Sequence, residues 1–316
     1  MPTLAHLLPW ILFLAFVLLM LGLDLGVFNR APRTIGLGEA LRWTAFWVGL
    51  AAAFALLLGF HGHRITGAPL AANRRLATDF LTAYLVELTL SIDNLFLFLL
   101  IFRYFKVPFA LQHRVLFWGI LGAILMRALF ILVGVTALQR FHWMTYLFGA
   151  FVFYAAIELL FRQNEDSNPA NGFISRFAQR HLRLTADFSG AAFTLRRNGT
   201  RYFTTLALVL VVVEATDLIF AADSIPAVLA VTRQPFIAFT SNVFAVLGLR
   251  AFYFALAGFM DYFHHLHYGL AAVLILIGIK MLGANYFQIS NLYTLALILA
   301  AVAASLLFRP KPRASS

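Results

Sequence analysis

Glu87-Leu-Thr-Leu-Ser-Ile-Asp93-Asn94 and Glu214-Ala-Thr-Asp217-Leu-Ile-Phe-Ala-Ala-Asp223-Ser-Ile-Pro226 decide how this chain is read. Each stretch lies inside an apolar run long enough to cross a bilayer. An ionisable side chain near the bilayer centre costs from about 2.5 to over 10 kcal/mol, depending on how far water and lipid adapt. Five acids in two matched places point to a chain that holds or moves a cation.

The rest of the composition agrees with a membrane setting. The chain has 316 residues, 62% of them hydrophobic and 12% charged. A soluble domain carries about 25% charged residues. Apolar segments of about 20 residues make the spanning elements helices, because a helix satisfies its own backbone hydrogen bonds in lipid. Nine spans are expected, near 7–28, 42–60, 78–102, 114–138, 142–161, 203–230, 236–260, 267–286 and 291–308. The first is read as a span, not a signal peptide, since its apolar run from Leu7 to Leu23 is too long for a signal core. The fold class is thus an all-α polytopic bundle.

The net charge of +11 does not indicate nucleic acid, because basic loops set membrane topology. With the N-terminus outside, 16 Lys and Arg residues fall in inside segments and 5 in outside loops. That asymmetry predicts N-out and C-in. There are no cysteines, which removes disulfides, thiolate metal sites and thiol redox chemistry. Residues 162–202 form the one long polar stretch, placed in the cytoplasm. Phe173, Ile174, Phe177 and Ala178, with Arg176, Arg180 and Arg183 interleaved, predict a short basic amphipathic helix at the membrane surface. Asn198-Gly199 between β-prone flanks predicts a hairpin.

Spans three to five align with spans six to eight. Glu87-x5-Asp93 matches Asp217-x5-Asp223, Lys106-Val-Pro108 matches Arg233-Gln-Pro235, Arg127-Ala128 matches Arg250-Ala251, and Ile157-Glu158 matches Ile279-Lys280. The chain therefore divides into two N-terminal spans (1–77), a first three-span unit (78–161), the polar loop (162–202), a second unit (203–287) and a last span with a basic tail (288–316). A unit of three spans ends on the side opposite to its start, so the second copy is inverted. Inverted repeats with a midplane site are a common transporter plan. Pro226 predicts a break in span six, because it removes one backbone donor and clashes with the carbonyl of Ala222.

The candidate ligands are oxygen donors: Glu87, Asp93, Asn94, Glu214, Asp217 and Asp223. Such donors suit Mg²⁺, Ca²⁺ and Mn²⁺ rather than Cu or Zn. Arg127, Arg250 and Lys280 lie within spans and are expected to pair with these carboxylates. Asp24 and Glu158 are further intramembrane acids, and His264, His265 and His267 cluster at the predicted cytoplasmic end of span seven. No Gly-x4-Gly-Lys-Ser/Thr loop, His-Glu-x2-His element or Gly-x-Gly-Asp element occurs, so no enzymatic activity is expected. Moving a divalent cation out against an inside-negative potential costs about 4.6 kcal/mol per 100 mV, at 2.3 per charge. Protons are the economical counter-ion.

Ser91-Ile-Asp-Asn94, Glu214 through Pro226, Phe236 through Ala251, Tyr268-Gly-Leu and Ile277-Gly-Ile-Lys-Met281 resemble the TerC family, most closely its Alx-like branch. The resemblance runs from about residue 8 to residue 308. It implies a LysE-like transporter, a bacterial inner membrane, and a role in Mn²⁺ efflux or homeostasis with no permanently bound cofactor. It also brings the labels of tellurium resistance and redox modulation, which describe a protein acting through partners without transport. It makes Glu87, Asp93, Glu214, Asp217 and Asp223 the functional acids. Leu88 stands where that pattern often has a charged residue, and Glu158 where it often has Lys.

Overall fold

The computed structural model describes residues 4–23, 36–141, 143–161, 192–197, 200–257, 266–283, 285–286 and 289–307. Among them are nine α-helices: α1 (Leu4–Leu23), α2 (Leu37–Thr66), α3 (Asn73–Tyr104), α4 (Phe109–Arg140), α5 (Met144–Phe161), α6 (Thr205–Val231), α7 (Pro235–Ala257), α8 (Leu266–Leu282) and α9 (Asn291–Leu307). Each falls on one of the nine expected spans. The chain is an all-α multi-pass membrane protein. α2, α4, α6 and α7 are long and apolar enough by themselves to cross a bilayer, and shorter apolar helices accompany them. Outward-facing side chains confirm the setting: Leu125 on α4 is 74% exposed and Phe60 on α2 is 71% exposed. Water does not tolerate so continuous an apolar surface.

Helix ends follow local chemistry. Lys106, just past α3, adopts a φ of 51°, the left-handed region. There Val107 N donates to Phe102 O and Lys106 N to Arg103 O, which closes the last turn of α3 before Pro108 opens α4. This is a Schellman end, whose left-handed position normally falls to glycine. α2 ends similarly at Gly67, with φ of 72°. Thr204 caps α6: its hydroxyl accepts from Ala207 N and donates to Ala192 O at 2.7 Å.

Ahead of that cap, strands β1 (Thr194–Arg197) and β2 (Thr200–Phe203) pair antiparallel, with Arg197 opposite Thr200. The Asn198-Gly199 turn between them lies outside the described residues. Arg114 at the start of α4 lies 5.2 Å above the Phe193 ring, which pins the hairpin to the bundle. The amphipathic helix expected at 173–183 lies outside the described residues, as do Asp24, His264 and His265.

Packing is reciprocal between α3–α5 and α6–α8. α3 packs on α6 and α7, α4 packs on α7 and α6, and α5 packs on α8. Swapping the two units, helix for helix, returns the same set of contacts. α5 and α8 approach closely because Gly149 faces Met281 and Gly278 faces Phe153, where a Cβ would meet side-chain atoms at 2.8 and 2.9 Å. Small residues at the crossing are how helices associate in lipid, where water supplies no driving force between them. α2 covers α3 and α7, and α9 covers α3 and α8. α1 leans on the bundle through rings, with Trp10 and Phe13 against Phe236 at 5.1 and 6.0 Å.

One expectation is corrected. α6 runs from Thr205 to Val231 as one helix with Pro226 inside it. Proline removes a single intrahelical bond, and the neighbours Ile225, Ala227 and Val228 are buried by other helices that hold the segment in place.

The two left-handed helix ends respond in opposite ways to substitution. Lys106→Gly relieves the strain of an L side chain, so the protein gains about 1 kcal/mol. Gly67→Ala introduces that strain and loses a similar amount. Thermal unfolding in detergent measures both, with Lys106→Gly melting higher and Gly67→Ala lower than the parent.

Candidate cation site at the centre of the bundle

Arg127 is the largest fully buried side chain among the described residues, at 0% exposure. α4 carries it into the contact between the two units. Its Nη1 donates to Glu87 Oε1 on α3 and to Asn242 Oδ1 on α7, the latter at 2.8 Å. Its Nη2 faces Asp217 Oδ1 on α6 at 3.4 Å. Asn242 Nδ2 completes the ring by donating to Glu87 Oε2 at 3.0 Å. Both Glu87 oxygens are thus engaged, and Ser91 Oγ lies 3.5 Å from Oε1. Four helices, two from each unit, meet at one guanidinium.

The site is oxygen-rich beyond these pairs. Asp217 Oδ2, Ser224 Oγ and Asn94 Nδ2 are buried and have no hydrogen-bond partner among the described residues. Glu214 is half-buried, just under one turn before Asp217 on α6, and its carboxylate lies directly over Gly122. A Cβ there would stand 2.2 Å from Glu214 Oε1, so any larger residue would push this carboxylate aside. Glu214, Asp217 and Arg250 together line a cavity of about 20 Å³, closed otherwise by Phe98, Leu116 and Ile120. That is room for a single water.

The structure brings together Glu87, Glu214, Asp217, Arg127 and Arg250, and it buries Asn94 on the same helix as Glu87. Asp93 and Asp223 are carried by α3 and α6, but their side chains lie outside the described residues. Among the described residues no group of three or more His, Asp or Glu is placed to hold a metal ion. Glu87 is instead held by a built-in cation, Arg127. Glu158 is exposed near the end of α5.

Among the described residues Lys280 makes its hydrogen bonds away from the central acids. Its Nζ donates to Asn291 Oδ1 and to Thr294 Oγ1, the latter at 3.1 Å. Asn291 Nδ2 in turn donates to Asp79 Oδ1 and to Val231 O, at 3.0 Å for Val231. Asp79 is 6% exposed and was not singled out by the sequence. It stands at the second residue of span three, where an acid reads as a solvated helix end; its position eight residues before Glu87 was the available signal. Asn291 and Gly122 carry no sequence signal of this kind, because an amide at a helix start and a glycine in an apolar run are ordinary.

Known proteins resemble this chain over most of its length. The membrane protein STKORF319 of Myxococcus xanthus is 42% identical over 297 residues, covering 94% of this chain and 90% of that protein. The membrane-bound redox modulator Alx of Escherichia coli K12 is 40% identical over 299 residues, covering 94% and 92%. A membrane protein of Rickettsia felis is 35% identical over 302 residues, covering 94% and 97%. No solved structure matches. The family description "Integral membrane protein TerC family" matches residues 72–313, which takes in all four helices that meet at Arg127, and the chain belongs to that family.

Proposed function

We propose that this protein is a secondary transporter that exports a hard divalent cation, Mn²⁺ first, through the carboxylates between α3 and α6. The observation that carries this reading is the buried guanidinium of Arg127 shared by Glu87 and Asp217, one acid from each unit. Carboxylates buried in a bilayer need a cation beside them. Here the cation belongs to the protein, and it sits between helices of both units. A metal ion arriving at Glu87 and Asp217 replaces Arg127 as their partner. Asp93, Asp223, Glu214 and Asn94 supply the remaining oxygen ligands, a set that suits Mn²⁺. The inverted arrangement of the two units gives the site a route to either face in turn. Protons are the counter-ion in this reading, and the bilayer is the only other partner it requires.

The name of the Escherichia coli relative favours a second reading, in which the protein modulates redox state without moving metal. With no cysteine in the chain, that role would have to run through partners. Metal content separates the two readings, since the second leaves it unchanged.

The acids are tested by charge removal. Asp93→Asn and Asp223→Asn keep side-chain size and abolish export, each to a similar degree, while Asp24→Asn and Glu158→Gln are milder. The measurement is intracellular manganese after a Mn²⁺ challenge, at matched membrane levels of each variant. Export by both Asn variants at the parent rate would overturn the transport reading.

The ion pair is tested by its energetics. Removing one partner of a buried pair costs about 3–5 kcal/mol, because the other charge stays buried and uncompensated. Arg127→Leu therefore lowers thermal stability sharply, and adding Glu87→Gln recovers part of the loss. A double-mutant cycle on unfolding in detergent gives the coupling between them. Strict additivity would show that Arg127 and Glu87 do not support each other.

A further inference from the structure

Asn291 joins three helices at one end of the bundle. It lies at the start of α9, accepts from Lys280 near the end of α8, and donates to Asp79 near the start of α3 and to the carbonyl of Val231, the last residue of α6. Thr82 on α3 adds a hydrogen bond to Asn291 O at 3.3 Å. Outside this knot the chain meets solvent: Arg75, whose side chain is 81% exposed, lies 3.9 Å from Asp79 Oδ2. Inside it lies the central site. Asp79 precedes Glu87 by eight residues, about 12 Å along α3.

α6 links the knot to the centre. Asp217, Ser224 and Val231 follow at seven-residue intervals, about 10 Å apart and on nearly one face of the helix. Asp217 Oδ2 and Ser224 Oγ are both buried without a partner among the described residues, and the Val231 carbonyl is occupied by Asn291. Unpartnered polar atoms in a dry core are unfavourable. Two of them in file beneath a hydrogen-bonded knot mark a line that water or a hydrated cation would satisfy once the knot parts.

We propose that Lys280, Asn291 and Asp79 form a closure over one end of this line, and that it must part before a cation reaches or leaves the Glu87–Arg127–Asp217 centre from that side. The identity of the cation rests on the transport reading above; the closure itself does not. Lys280 and Asp79 hold opposite sides of the Asn291 amide, one donating to its oxygen and the other accepting from its nitrogen. The amide therefore has one satisfied orientation: losing Lys280 takes the donor from its oxygen, and losing the Asp79 charge leaves its nitrogen held by the Val231 carbonyl. Charge asymmetry of the loops puts this end on the outer face of the membrane.

The absence of cysteine makes a direct test available. Ser224→Cys is nearly isosteric and replaces a hydroxyl that makes no hydrogen bond among the described residues. Its rate of modification by a membrane-impermeant thiol reagent, applied from each face in turn, reports access to the line. With the closure intact the rate is low. Adding Lys280→Met or, as an independent disruption, Asp79→Asn raises it by about tenfold or more from one face only, in keeping with the loss of a charge-assisted hydrogen bond. An unchanged rate in both single disruptions overturns the closure, as does an equal rise from both faces. One-sided opening in a protein whose variants never alter cellular manganese would overturn the transport reading and leave the closure standing.

Discussion

The burial of Arg127 is the constraint on which the centre of this protein depends. A guanidinium cannot shed its proton, so a buried one must be surrounded by acceptors. Glu87, Asn242 and Asp217 provide them from three other helices. Each acceptor fixes the rotation of the helix that carries it. α3 must turn Glu87 inward, α7 must turn Asn242 inward, and α6 must turn Asp217 inward. The apolar faces of these helices follow from that choice, with Phe80, Ala83, Val243 and Val213 packed in the core. Apolar packing in lipid is only weakly directional. The ionic ring supplies the direction.

The same ring ties the two halves of the molecule together without welding them. The contacts between α3–α5 and α6–α8 are reciprocal, and the pairs at their crossing are polar at Arg127 and glycine-lined at α5 and α8. Polar pairs can exchange partners at modest cost, whereas interlocked large side chains cannot slide without opening voids. Gly122 adds to this by leaving Glu214 space beside α4. A second polar knot, built on Asn291, holds the last helix across the end of the bundle. The two knots share no residue, and along α6 Ser224 lies between them, its Oγ without a partner among the described residues.

The positions of the helices, the all-α class and the membrane setting were legible in the sequence because hydrophobic runs of bilayer length leave the backbone one solution. Glu87, Glu214 and Asp217 stood out for a related reason: a charge inside such a run is rare enough to be noticed. Pro226 misled, because its local penalty is smaller than the support from the helices around α6. Lys280 misled differently. Its place within a span set it beside the central carboxylates, but a lysine stem is long, and the start of α9 offered Asn291 and Thr294. Asp79 was passed over at a helix boundary, where an acid is usually wet.

Sequence alone therefore determined which helices carry the central charges, because the cost of burying an ion falls on each residue separately. It did not determine which charges meet. That Arg127 takes Glu87, Asn242 and Asp217, that Glu214 lies over Gly122, and that Asp79 shares Asn291 with Lys280 are facts about pairs separated by tens to hundreds of residues. Only the packing of helices from both units brings them within hydrogen-bond reach, where an interaction that falls off with distance acquires its strength.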